Sequence, residues 1–185
     1  MLNRWRWIPN GLTFLRILLV IPFAWMLADD NHQAALVLFF VAAATDGLDG
    51  LLARVYGWKS RLGAIADPLA DKLLLVVAYL MLSVTGVLPM WLFVLVLGRD
   101  LLIVGGGLLF HRLIGPFEVR PSVFGKLNTL VQILAALAVM FWEAGLDLPA
   151  RPHEVAIWAV AFMALVSGLH YVGSWGIRAA RSRVS

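Results

Sequence analysis

Cysteine is absent from the 185 residues. That removes disulfides, Cys-ligated zinc, iron–sulfur clusters and thiol nucleophiles together, and leaves the redox compartment undetermined. Charge is scarce as well. Only 14% of residues are Asp, Glu, Lys or Arg, against about a quarter in a soluble domain. Four histidines occur, and His32, His111, His153 and His170 have no ligand-spaced companions, so none is assigned a role. His170 is read as a bundle-facing, hydrogen-bonding residue. No long linker, low-complexity tract or clear repeat interrupts the chain, so one domain over residues 1–185 is expected. What is abundant is apolar: 62% of residues, with eight Trp and ten Phe and a mean hydropathy of +0.87. A single small core cannot hide so much apolar surface, and membrane is the solvent that suits it. The net charge of +4 then marks cytoplasmic loops, and no nucleic-acid partner is expected.

A spanning helix needs about 20 mostly apolar residues. Six stretches qualify, near 10–28, 33–55, 63–84, 88–111, 123–143 and 154–178. The expected fold is therefore all-α and polytopic, with six transmembrane helices. Residues 1–7 alternate Trp and Arg, the composition of a short interfacial anchor. The first apolar run resembles a signal peptide at its start, yet it is long, carries Arg16 and Pro22, and lacks a small-residue cleavage site before Asp29. It reads as a retained helix. With a cytoplasmic N-terminus, the inner segments hold Arg4, Arg6, Arg54, Lys59, Arg61, Arg112, Arg120, Lys126, Arg178, Arg181 and Arg183, eleven of the 15 Lys and Arg. The outer loops hold Asp29, Asp30, Glu143, Asp147 and Glu154, with Arg151 their only base. This asymmetry obeys the positive-inside rule with both termini cytoplasmic, as in a bacterial inner membrane or its equivalent.

Four acids stand where lipid should be: Asp46 and Asp49 on the second helix, Asp67 and Asp71 on the third. Each costs about 2.5–3.5 kcal/mol near a helix centre, less toward its end, so they need partners. At about 100° per residue, Asp46, Asp49, Gly50 and Ala53 share an arc of roughly 100°, and Gly63, Asp67 and Asp71 one of roughly 80°. The short connection makes these helices antiparallel neighbours whose acidic faces can meet. Clustered carboxylates repel each other and take up protons unless a cation sits among them. An all-oxygen site without His or Cys favours a hard divalent ion, Mg²⁺ or Mn²⁺.

Small residues complete the pattern. Gly50 and Ala53 share the acidic stripe and leave a hollow where a flat base and ribose can approach the backbone. Arg54, toward the cytoplasmic end of the same helix, offers a fork of donors to phosphate oxygens. Any one of these residues alone could be a helix cap or a packing glycine. Together, on two matching faces, they describe a nucleotide diphosphate site at the membrane surface.

The spacing Asp46-x2-Asp49-Gly50-x2-Ala53-Arg54-x8-Gly63-x3-Asp67-x3-Asp71 resembles, without a departure, the motif of the CDP-alcohol phosphatidyltransferases, and the six-helix layout extends the likeness over most of the chain. The resemblance implies a two-metal centre held by Asp46, Asp49, Asp67 and Asp71, with Asp71 also the base. It implies a CDP pocket shaped by Asp49, Gly50, Ala53, Arg54 and Gly63, and a homodimer. CDP-diacylglycerol would be the donor, and an anionic lipid or phosphorylated alcohol the acceptor.

Other residues carry two readings each. Asn10 and Thr13 resemble the family's N-terminal segment and could touch the diphosphate, or they could cap the helix beside a snorkelling Arg16. Lys72 balances the acidic cluster structurally or touches substrate. Arg99 lies inside a span and is expected to be functional, with a partner on another helix because Asp100 should point elsewhere. Arg112, Arg120 and Lys126 supply cations for an anionic acceptor, or are ordinary inner-loop charge. Gly105, Gly106 and Gly107 are read as packing glycines. Arg99-Asp100 with those glycines, then Lys126-Leu127-Asn128-Thr129, is similar to the CDP-diacylglycerol-dependent cardiolipin synthases. The runner-up is a phosphatidylglycerophosphate synthase, and the rival from another class is a cation transporter or channel. A transport pathway should cross the bilayer, however, and the fifth and sixth helices bring almost no ionisable residues to it.

Overall fold

The computed structural model describes the backbone of residues 8–55, 61–114, 122–146 and 151–182, and the side chains of 13–45, 70, 72–107, 112, 122–146 and 151–174. Among the described residues the only regular elements are six helices: α1 (Ile8–Ala28), α2 (His32–Val55), α3 (Arg61–Val84), α4 (Met90–Ile114), α5 (Val123–Glu143) and α6 (His153–Ser182). The expected boundaries hold to within a few residues, because local chemistry stops each helix. Asp30 adopts a left-handed φ of 54° after α1, and the Asn31 and Asp30 amides close back on the Met26 and Leu27 carbonyls. Gly145 does the same after α5 with φ 76°, the Leu146 and Gly145 amides returning to Phe141 and Trp142. Both are the double hydrogen-bonded stop that satisfies the last carbonyls of a helix. Asn31 then caps α2, its Oδ1 accepting the Ala34 amide at 3.1 Å, and Ser122 caps α5 through the Gly125 amide at 3.0 Å.

Two compact units divide the chain, Met1–Val87 with Met140–Pro149, and Leu88–Val139 with Ala150–Ser185. In the first, among the described residues, α1 packs against both α2 and α3, and α2 and α3 meet each other less extensively. One stripe of α1 does the packing. Thr13, Arg16, Val20, Phe23 and Leu27 are buried at alternating three- and four-residue steps, the spacing of a single helix face. Phe23 meets Phe39 of α2 with ring centroids 6.0 Å apart. Gln33 Nε2 donates to the Ala144 carbonyl at 3.0 Å, and Phe40 lies edge-on to Phe141 at 5.9 Å, tying the end of α5 to α2.

In the second unit α4 and α6 pack together. Trp91 meets Trp158 at 6.2 Å near the two helix starts, and Arg99 meets Ser167 a little more than two turns further along. The two helices therefore run side by side in the same direction. Large apolar side chains face outward in both units, among them Ile21, Trp25, Leu101, Phe162 and Leu169. A helix apolar on its outer face belongs in lipid rather than water. Three helices are long and apolar enough to cross a membrane over described residues, Met90–Gly107, Val123–Glu143 and His153–Ser174. The apolar parts of the others are shorter, Thr13–Ala28, His32–Thr45 and Lys72–Val84. In α2 and α3 the sequence on the far side of those parts is the acidic segment of residues 46–71.

Candidate active site

Asp46, Asp49, Gly50, Ala53 and Arg54 occupy the last turns of α2, and Gly63, Asp67 and Asp71 the first turns of α3. Their side chains lie outside the described residues, as do Asn10, Arg120 and His111. The backbone nonetheless places both acidic segments at the joined ends of two consecutive helices, next to the five-residue connection of 56–60. Among the described residues no three His, Asp or Glu side chains converge, so the described part offers no second candidate for a metal centre. The donor set itself, four carboxylates at helical spacing, is the oxygen-only kind that Mg²⁺ or Mn²⁺ takes.

In the early turns of α1, the helix that packs against both, Thr13 and Arg16 are buried within the first unit, Arg16 at 1% exposure. This corrects the snorkelling reading: the guanidinium does not reach toward water but is held among α1, α2 and α3. A buried charge of this kind needs compensation within the bundle. Lys72, one residue after Asp71, is exposed.

The second unit holds a polar centre built from described side chains. Arg99 of α4 is 8% exposed. Its Nη1 donates to Asp100 Oδ1 at 2.7 Å and its Nη2 donates to Ser167 Oγ of α6. The expectation that Asp100 points elsewhere is thus overturned, because a long Arg side chain bends back to its sequence neighbour. The expected partner on another helix is also present, in Ser167. The guanidinium carbon lies 6.0 Å from the ring centre of Tyr171, whose hydroxyl accepts the Ser122 amide at 3.2 Å. The first turn of α5 closes over this group through Gly125. A Cβ there would sit 3.2 Å from Tyr171 Oη, 3.3 Å from Ser122 Oγ and 3.5 Å from Arg99 Nη2. A methyl there requires these side-chain ends to give by a few tenths of an ångström, so a small residue lets α5 approach so closely. One turn along the same face, Asn128 is wholly buried, and Gln132 follows one turn later.

Of the described acceptor candidates, only Arg99 belongs to this centre. Lys126 on the first turn of α5 is exposed, and Arg112 is exposed about 20 Å further along α4. Ser167 and Tyr171 escaped sequence reasoning, and Asn128 entered it only as part of the Lys126-Leu127-Asn128-Thr129 resemblance, without a role. Their signal was polarity inside long apolar runs, which is weaker than charge because neutral polar groups are common in membrane helices. Two smaller readings also change. Gly105 has open space where a Cβ would be, so it packs against nothing among the described residues. His170 is exposed and lies 4.9 Å from the Phe124 ring, a stacking residue and not a buried hydrogen-bonding one.

Apolar outward faces around helices that carry sealed charge define the class: an integral membrane protein with polar centres inside its helices. Comparison supplies the family. The CDP-alcohol phosphatidyltransferase family matches residues 6–169, and this chain belongs to it; it is an enzyme of phospholipid synthesis. It is 32% identical over 181 residues to the CDP-diacylglycerol--glycerol-3-phosphate 3-phosphatidyltransferase of Bacillus subtilis, covering 89% of this chain and 92% of that one. It is 37% identical over 172 residues to a probable phosphatidylglycerophosphate synthase of Mycobacterium tuberculosis, covering 89% and 79%. To the cardiolipin synthase (CMP-forming) of Rattus norvegicus it is 30% identical over 152 residues, 74% of this chain and 50% of that protein.

Proposed function

We propose that the chain transfers the phosphatidyl group of CDP-diacylglycerol to phosphatidylglycerol, giving cardiolipin and CMP, in one membrane domain of six spans with both termini cytoplasmic. Asp46, Asp49, Asp67 and Asp71 would hold two divalent ions, which when bound supply neutralising charge for the diphosphate and the departing CMP. Asp71 accepts the proton of the acceptor hydroxyl. That oxygen attacks the phosphorus bearing the diacylglycerol, a new phosphodiester bond forms, and the bond from that phosphorus to the CMP oxygen breaks. Asn10 and Thr13 border the CDP pocket formed with Gly50, Ala53, Arg54 and Gly63. Placing the headgroup chemistry at the cytoplasmic ends of α2 and α3 lets both lipid substrates keep their chains in the bilayer.

The observation that carries the choice of acceptor is the 2.7 Å pair between Arg99 and Asp100. It cancels the charge of the one described buried cation in the second unit. A phosphate monoester carries about −1.5 to −2 at neutral pH, and the Arg99–Asp100 pair, of net zero charge by itself, compensates it poorly. A phosphodiester, with a single diffuse negative charge, asks less. Arg99 therefore fits the phosphodiester of phosphatidylglycerol better than glycerol 3-phosphate. The second reading, phosphatidylglycerophosphate synthesis, is favoured by the near full-length likeness to proteins so named. Purified protein given CDP-diacylglycerol and Mg²⁺ decides between them: CMP release should be fastest with phosphatidylglycerol. Dominant turnover with glycerol 3-phosphate would reverse the assignment.

A further inference from the structure

Asn128 is 0% exposed, and neither Nδ2 nor Oδ1 of its carboxamide has a hydrogen-bond partner among the described residues. Burying an amide unpaired costs about 1–3 kcal/mol by mutational measures and more in a medium without water. A few such atoms occur in any protein, and each calls for an explanation. Here a second unmet group stands close by. Arg99 Nε is also buried without a partner among the described residues, although both terminal nitrogens of the same guanidinium are engaged. Gly125 links the two. Its Cβ position is 3.5 Å from Arg99 Nη2, and residues three apart on a helix have Cβ positions about 5–6 Å apart. Asn128 thus sits on the face of α5 that closes over Arg99.

The unmet groups specify a ligand. Arg99 Nε is a cationic donor and suits a phosphate oxygen. A carboxamide offers a donor and an acceptor together, which is what a hydroxyl requires, since a hydroxyl also gives and takes. An anion joined to a neighbouring hydroxyl is a glycerol phosphate headgroup, whether in a lipid or free. We propose that Asn128 is a specificity-determining residue that hydrogen-bonds the secondary hydroxyl of the acceptor's glycerol, the hydroxyl that does not react. This rests on the glycerol-type acceptor argued above, and it holds for phosphatidylglycerol and glycerol 3-phosphate alike.

The test compares each acceptor with the analogue lacking only that hydroxyl: phosphatidylglycerol against the same lipid with a 1,3-propanediol headgroup, and glycerol 3-phosphate against 3-hydroxypropyl phosphate. The pair that turns over is used. Wild-type protein should prefer the glycerol form by roughly tenfold or more in kcat/KM, because a site built to bond a hydroxyl is left unsatisfied by its absence. Asn128→Leu should erase the preference by lowering turnover of the glycerol form alone, leaving the analogue unchanged. Asn128→Asp, which keeps an acceptor but loses the donor, should retain only part of it. Asn128→Leu should also raise the melting temperature in detergent without acceptor, since it removes a buried unpaired amide. Equal rates for both acceptors in wild type overturn the proposal. So does a variant that loses both acceptors equally, or one whose melting temperature falls, because either result marks a purely structural residue. If wild-type protein uses neither glycerol acceptor but releases CMP with another alcohol, the functional reading itself fails, and this inference with it.

Discussion

At the scale of single residues, Arg99 and Asp71 should separate cleanly in kinetics because they are assigned to different substrates. Arg99 engages Asp100, Ser167 and the face of α5 through a planar fork. Arg99→Lys keeps the charge but not that geometry. Losing one charge-assisted hydrogen bond is worth about 1.5–3 kcal/mol, so the acceptor KM should rise roughly ten- to a hundredfold while the KM for CDP-diacylglycerol stays put. A matched rise in both would remove Arg99 from the acceptor side. Asp71→Asn keeps size and polarity but cannot take a proton. CMP release should stop while CDP-diacylglycerol binding, followed by calorimetry, remains measurable; full activity would take the base role away from Asp71. Gly125→Ala meets only side-chain ends that can yield, so it should cost little. Gly125→Val crowds Arg99 directly and should raise the acceptor KM alone. Legibility at this scale followed charge. Asp46, Asp49, Asp67, Asp71 and Arg99 stood out because each is expensive in lipid. Arg16 was seen with two readings, and its burial removes the snorkelling one, since sequence does not tell a guanidinium that reaches the interface from one buried in a helix bundle.

Between residue and molecule lie the helices, which the sequence disclosed almost to the turn. Apolar runs of spanning length end at chemistry with one reading, such as Asn31 before α2, Pro89 before α4, Ser122 before α5 and Gly145 after it. Two glycine turns, Gly86 after α3 and Gly145 after α5, are themselves testable. Gly86 and Gly145 hold φ of 81° and 76°, a conformation that costs an L-residue about 1–2 kcal/mol. Gly86→Ala and Gly145→Ala should each lower stability by about 1 kcal/mol, read as a lower melting temperature with kcat unaffected; an unchanged melting temperature would mean that the turns relax freely. What the helices did not disclose is who packs against whom. The short connection makes α2 and α3 antiparallel neighbours, and among the described residues α1 packs against each of them more extensively than they pack against each other. A connection constrains where two ends lie and leaves side-by-side packing to shape, which is a property of three helices at once. The acidic segments at those joined ends still predict a metal requirement. Chelation by EDTA should abolish CMP release, and Mg²⁺ or Mn²⁺ should restore it. Activity that survives exhaustive chelation would exclude divalent ions from the four carboxylates.

For the whole molecule the open physical question is how many helices cross. Three are apolar enough over their described residues alone, while α1, α2 and α3 are 21, 24 and 24 residues long and so reach spanning length. In α2 and α3 part of that length is the acidic segment of residues 46–71, so their insertion depends on charge being compensated inside the bundle. The two outcomes differ in sidedness. If all six helices cross, the connection at residues 56–60 is cytoplasmic, on the same side as Lys126. If only α4, α5 and α6 cross, everything before α4 lies on the outer side and the acidic segments with it. The lack of cysteine gives a silent background for single-cysteine labelling with a membrane-impermeant maleimide. Asp30→Cys and Leu146→Cys should react in intact cells. Lys59→Cys and Lys126→Cys should react only after permeabilisation. Asp30 is outside under either scheme and Lys126 inside under either, so those two calibrate the measurement and Lys59 decides it. Labelling of Lys59→Cys from outside would put the nucleotide-binding segment where a cytoplasmic CDP-linked substrate could not reach it, and the three-span arrangement would then have to replace the six-span one together with its chemistry.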